Sequence, residues 1–126
     1  MRRSKYGNKK TVLDGKEFDS KKEAYHYLLL KERLQRGEIS NLQTQVPFVL
    51  VPAVTEERVV HLKTKPDRIE THVVQQPIKY IADFVYEENG RQVVVDVKSA
   101  ATRMSDKYII KKKMMRAFLG IKIVEV

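Results

Sequence analysis

Hydrophobic positions along the chain follow two periods. In the first, Glu23, Tyr27, Leu30 and Leu34 recur at spacings of four, three and four, and Ala24 and Leu28 widen the same face. Ser20 followed by Glu23 matches a capping box, and Gly37 supplies a stop, so this stretch is expected to be a helix. A second helix is expected from about Ser105 to Leu119, with Ser105 as N-cap and Gly120 as stop. Its apolar face is expected to be Ile110, Met114, Ala117 and Phe118, with Lys107, Lys111, Lys112 and Arg116 largely elsewhere.

The shorter period marks strands. Gln45 to Val51 reads as one, ended by Pro52. Ile78 to Tyr86 and Arg91 to Ser99 read as two more, joined through Glu87-Glu88-Asn89-Gly90, where Asn-Gly is the strongest short hairpin signal. Asp14-Gly15 predicts a turn between Thr11-Val12-Leu13 and Lys16-Glu17-Phe18, and Ile121 to Val126 reads as a last strand. The stretch 52–77, with Pro66, Pro77 and a Lys63-Thr64-Lys65 tip, is expected to be a long hairpin or loop. The order helix, three strands, helix, strand predicts an α/β fold: a central sheet with helices packed on it.

A length of 126 residues suits one domain with a modest core. We therefore expect a single domain over 1–126, with a basic N-terminal arm (1–18) and the appended 52–77 segment. Charged residues make up 33% and hydrophobic residues 42%, a globular balance. No apolar run reaches the roughly 20 residues that cross a bilayer, and no apolar stretch follows the basic N-terminus. A protein without membrane attachment, acting in the cytoplasm, is the expectation. The absence of cysteine excludes disulfides and thiolate metal sites, and His26, His61 and His72 lack zinc-ligand spacing.

The net charge of +9 is unevenly spread. Residues 1–22 carry eight Lys/Arg against three Asp/Glu, and residues 103–122 carry seven against one. The remainder is mildly acidic. Two basic blocks flanking an acidic middle point to a polyanion, because neutralising phosphates releases counterions. Arg2, Arg3, Lys5, Lys9, Lys10, Lys21 and Lys22 in the first block are candidate phosphate contacts, with Lys107, Lys111 and Lys112 in the second.

Candidate chemistry sits on the central hairpin. If Asn89-Gly90 is a two-residue turn, opposed positions sum to 179: Phe84 faces Val95, Asp83 faces Asp96 and Ile81 faces Lys98. Opposed side chains share a side, and so do Asp96 and Lys98, two apart. Two carboxylates and an amine are thus expected to converge. Like charges opposed on a sheet are destabilising, and both aspartates lie in strongly apolar strands. A divalent cation would compensate; Mg²⁺ takes one or two carboxylates plus waters and substrate phosphate. The backbone carbonyl of Val97 could add a ligand, and Glu23 could approach from the first helix. Two plainer readings compete: Glu23 only caps its helix, and Asp96 and Lys98 form an ordinary ion pair.

Ile81-Ala82-Asp83, twelve residues, then Asp96-Val97-Lys98 resembles the PD-(D/E)XK nuclease motif, with Ala82 in place of the usual proline. Ser20-Lys21-Lys22-Glu23-Ala24 resembles the helical glutamate segment of that superfamily. More narrowly, Phe18 to Glu23, Tyr80 to Phe84 and Val95 to Lys98 resemble a small phage-associated group of endonuclease-like proteins. The resemblance implies a restriction-endonuclease-like αβββαβ core with a mixed central sheet. It also implies hydrolysis of DNA phosphodiesters with Mg²⁺, or Mn²⁺ as substitute, at Glu23, Asp83, Asp96 and Lys98. A phage nicking or junction-resolving nuclease in the bacterial host cytoplasm is the favoured version. At this size a homodimer is expected where both strands are cut. The alternative is a non-catalytic nucleic-acid-binding or replication-accessory protein on the same fold.

Overall fold

The computed structural model describes residues 10–126. Arg2, Arg3, Lys5 and Lys9 lie outside the described residues. Thr11–Leu13 (β1) and Lys16–Phe18 (β2) form the expected first hairpin, with Phe18 buried. Helix α1, Lys21–Gln35, starts where the capping residues predict, and the Ser20 hydroxyl accepts the Glu23 amide at 3.1 Å. It is followed by β3, Ser40–Val51, which starts earlier than expected.

The stretch 52–77 contains a hairpin, one of the two forms expected of it. Val54–Val60 (β4) and Arg68–Gln75 (β5) pair only with each other. Ile78–Glu88 (β6) and Arg91–Asp96 (β7) follow, and Asn89 and Gly90 take φ of 53° and 75°. Positive φ at both central residues is the type I′ geometry that Asn-Gly favours. A short helix α2, Ala100–Arg103, was not anticipated. Helix α3, Asp106–Leu119, runs to Gly120, whose φ of 68° closes it, and Val124–Glu125 (β8) ends the fold.

Among the described residues the protein is thus mixed α/β. Its sheet has the order β3-β6-β7-β8, antiparallel except for the parallel pair β7–β8. One core lies between the sheet and α1 with the β1–β2 hairpin: Phe18, Ala24, Tyr27, Leu30, Phe84, Tyr86 and Val95. The other lies under α3: Leu50, Tyr80, Ala82, Val85, Val94, Tyr108, Met115 and Ile123. Full burial of one such large side chain stabilises the fold by roughly 1.5–3 kcal/mol.

Helix α1 buries most of the expected face, with Glu23, Ala24, Tyr27 and Leu30 buried, and leaves Leu28 and Leu34 of it exposed. On α3 the difference is larger: Ile110 and Phe118 are 54% and 61% exposed, and Tyr108 and Met115 are buried instead. The cause lies on β8. Glu125 accepts from the Tyr108 hydroxyl at 2.9 Å and from Lys112 Nζ at 2.6 Å, which turns that side of α3 to the sheet. The stems of Lys111 and Lys112 are half-buried there, covering apolar surface while their ammonium groups stay near water.

Candidate active site

The β6–β7 register follows the predicted sum: Phe84 pairs with Val95 and Glu88 with Arg91. Pairing stops at Phe84–Val95, so the expected ladder pairs Asp83–Asp96 and Ile81–Lys98 do not form. The reason is a change of phase. Ala82 belongs to the core under α3 and Phe84 to the core under α1, although side chains two apart normally share a face. Leu42 and Val46 on β3 are split in the same way. Both strands therefore turn over at one rung, flanked by the pairs Thr44–Phe84 and Val46–Ala82. Gln45, at that rung, has a φ of 52°.

The other edge of β7 is held by the C-terminal residue. Val126 donates its amide to the Asp96 carbonyl at 3.0 Å and accepts from the Lys98 amide at 3.1 Å. The intervening Val97 N–H is left to donate to Asp83 Oδ2 at 2.8 Å. A side-chain carboxylate thus takes the amide that a neighbouring strand carbonyl would otherwise have taken.

Asp83 and Asp96 converge despite the lost ladder pairing. Asp96 is only 1% exposed. Its Oδ2 accepts from the Tyr80 hydroxyl, while its Oδ1 is buried with no hydrogen-bond partner. Lys98 Nζ lies 3.4 Å from that Oδ1, so the contact is an ion pair and not an aligned hydrogen bond. Burial, then the close approach and charge of Asp96, then the charge of Glu23 push Asp83 up to about 8, against the pull of the Val97 amide.

Glu23 is buried at the start of α1. Burial, then the charge of Asp19, holds its carboxyl above the usual range, with Asp96 adding to the rise. Its Oε1 accepts from Gln45 Nε2 at 2.9 Å, and the same nitrogen reaches Asp83 Oδ1 at 3.4 Å. Glu23 thus sits at the capping-box position, where its amide donates to Ser20 Oγ, while its side chain turns to Gln45 and the aspartates. Lys98, largely buried, lies 4.8 Å from the centroid of the Tyr108 ring. Burial raises the Tyr80 and Tyr108 hydroxyls above the ordinary tyrosine range, which keeps both as donors.

The candidate phosphate contacts divide. Lys22 reaches the Lys98 carbonyl at 3.1 Å, beside the site, and Lys21 and Lys107 are exposed. Lys10 pairs with Glu17 at 3.3 Å, and Lys112 is engaged by Glu125. His26 is half-buried against Phe84, and burial lowers its pKa.

The donor set consists of oxygens, which suits a hard cation. Among the described residues, no three His, Cys, Asp or Glu side chains stand close enough to hold an ion by themselves. The observation that fits a cation is the buried Asp96 Oδ1, left without a hydrogen-bond partner beside the Asp83 carboxyl. A site of two carboxylates completed by waters and phosphate accommodates both facts.

Gln45, Tyr80 and Tyr108 were not found from the sequence. Gln45 and Asp83 meet through β3–β6 pairing, whose register no short turn fixes, and Tyr108 reads as an ordinary helix aromatic. The one available signal was position: Tyr80 stands three residues before Asp83 in a strand already singled out.

The chain belongs to the family described as Protein of unknown function (DUF1064), whose model matches residues 3–124. No curated protein and no solved structure matches it. No helix among the described residues is long and apolar enough to cross a membrane.

Proposed function

We propose that this protein is a divalent-metal-dependent DNA endonuclease on a restriction-endonuclease-like αβββαβ core. The observation that carries the reading is the buried Asp96, with one oxygen lacking a hydrogen-bond partner, converging with Asp83, pushed up to about 8, and with Lys98 at 3.4 Å. Buried carboxylates with an oxygen left unsatisfied cost stability, which supports a functional reading of the pair.

Asp83 and Asp96 would hold Mg²⁺ or Mn²⁺, with the Val97 carbonyl as a further oxygen donor and Glu23 placed to hold a metal-bound water. Bound there, the ion would polarise the phosphoryl group and favour ionisation of the attacking water. Tyr80 fixes one Asp96 oxygen, so the other is left for the ion. Lys98 would orient the attacking water or stabilise charge developing on phosphorus. Lys21, Lys22, Lys107 and Lys111 would position the backbone of the substrate, with the N-terminal basic residues adding to the grip.

The β4–β5 hairpin favours pairing of two chains over contact with DNA. Residues 54–75 carry four Lys/Arg and four Asp/Glu, so they do not complement a polyanion. Its Val59, Ile69 and Val73 share one face and are exposed, and an isolated two-stranded hairpin is marginal in water. Two-fold pairing would bring two sites to the two strands of a duplex.

The test is cleavage of supercoiled plasmid and of branched DNA with Mg²⁺, comparing wild type with Asp96→Ala. The substitution should reduce the rate on the order of a thousandfold or more, the equivalent of losing several kcal/mol of metal-assisted stabilisation. Equal cutting by both proteins would refute the site. Salt-sensitive binding without cutting would support the non-catalytic alternative.

A further inference from the structure

We infer that Gln45 is a positioning residue for the cation, holding Glu23 toward Asp83 in advance of binding; this rests on the metal-dependent reading above. Three observations converge on it. Gln45 takes a φ of 52° in the middle of a strand, where glycine or asparagine would be the favoured choice. It occupies the rung at which β3 and β6 both change phase, opposite Asp83. One nitrogen, Nε2, serves two carboxylates, at 2.9 Å to Glu23 and 3.4 Å to Asp83.

A single amide nitrogen bridging two acidic groups does on a small scale what a cation does. It places positive density between carboxylates that repel each other and are partly removed from water. Glu23 arrives from α1 and Asp83 from β6, so their separation would otherwise depend on packing of helix against sheet. The left-handed backbone at Gln45 turns the side chain into this gap. The unfavourable backbone is therefore matched to the side chain's task. When the cation binds, the two carboxylates already face one another and the amide yields its place.

The backbone and side-chain contributions separate experimentally. Gln45→Gly removes the amide and accepts the positive φ without cost, and Gln45→Asn also tolerates that φ but is one methylene short of Glu23. Relief of the backbone and loss of the bridging amide oppose each other, so both variants should stay folded and melt within a few degrees of wild type. Mn²⁺ titrated into each protein by calorimetry should bind wild type and bind both variants roughly 10- to 100-fold more weakly, as is usual when a residue orienting a metal ligand is removed. Variants that stay folded and bind Mn²⁺ as tightly as wild type would overturn the role of Gln45 while leaving the metal site standing. Wild type that takes up no Mn²⁺ would overturn both.

Discussion

Asp83→Asn should stabilise the metal-free protein while abolishing its proposed activity. In the folded chain the Asp83 carboxyl titrates near 8, against 3.8 ordinarily, because it is partly buried beside Asp96 and Glu23. Below about pH 4 both folded and unfolded chains hold the proton, and Asp83 adds no pH dependence. Between about 4 and 8 the unfolded chain ionises first, so raising the pH favours unfolding throughout that window. A displacement of this size converts, at about 1.4 kcal/mol per pH unit, to a ceiling of roughly 5–6 kcal/mol. Solvent reaching Asp83 and relaxation around the pair reduce it, and a difference of roughly 1–3 kcal/mol at pH 8 is expected. Asparagine resembles the protonated acid and does not ionise, so Asp83's share of the slope should vanish in the variant, leaving the smaller share of Glu23. Urea unfolding in EDTA at pH 4, 6 and 8 measures this directly. The variant's advantage should be near zero at pH 4 and grow with pH. Excess Mn²⁺ should then raise the stability of wild type and leave the variant unchanged, because an ion that binds only the folded state stabilises it. A variant less stable than wild type at pH 8, or an advantage independent of pH, would refute the argument that the acid pair is under strain.

Further outcomes follow from the same geometry. Lys98→Ala should slow plasmid cleavage roughly 10²- to 10⁴-fold while keeping Mn²⁺ uptake, measured by calorimetry beside the cleavage assay. Tyr80→Phe removes the donor to the one satisfied Asp96 oxygen and should cost about 1–3 kcal/mol in urea unfolding. Charge reversal of Lys107 and Lys111 together should weaken DNA binding and flatten its dependence on salt, read from affinities at several ionic strengths. Ile69→Glu, on the exposed apolar face of the β4–β5 hairpin, should shift sedimentation toward monomer if two chains pair there.

Local signals made much of the fold legible. Ser20 and Gly120 mark helix ends through capping and left-handed geometry, and Asn89-Gly90 fixes the hairpin register as far as Phe84–Val95. What escaped depends on distant partners. The buried face of α3 is set by Glu125 on β8 gripping Tyr108 and Lys112, so aliphatic residues that look like core, Ile110 and Phe118, stay exposed. The stretch 52–77 showed no clean alternation because β4 and β5 bury neither face against the sheet. At the candidate site, Asp83, Asp96 and Lys98 stood out because charges among valines are costly, and Glu23 because it opens the buried face of α1. The route by which the aspartates meet was not. A simple ladder would oppose them directly, whereas the strands change phase at Asp83, and its carboxylate takes the Val97 amide. Gln45 escaped for the same reason: a 26-residue connection, 52–77, separates β3 from β6 and leaves their register unmarked.

Diffraction from crystals soaked in Mn²⁺ with a short DNA duplex, read by the anomalous signal of the ion, tests the metal site itself. A peak should touch both Asp83 and the free oxygen of Asp96, with a phosphate of the duplex on its open side. Crystals in which duplex is bound and manganese is absent from this pair, or sits elsewhere on the chain, would contradict that site.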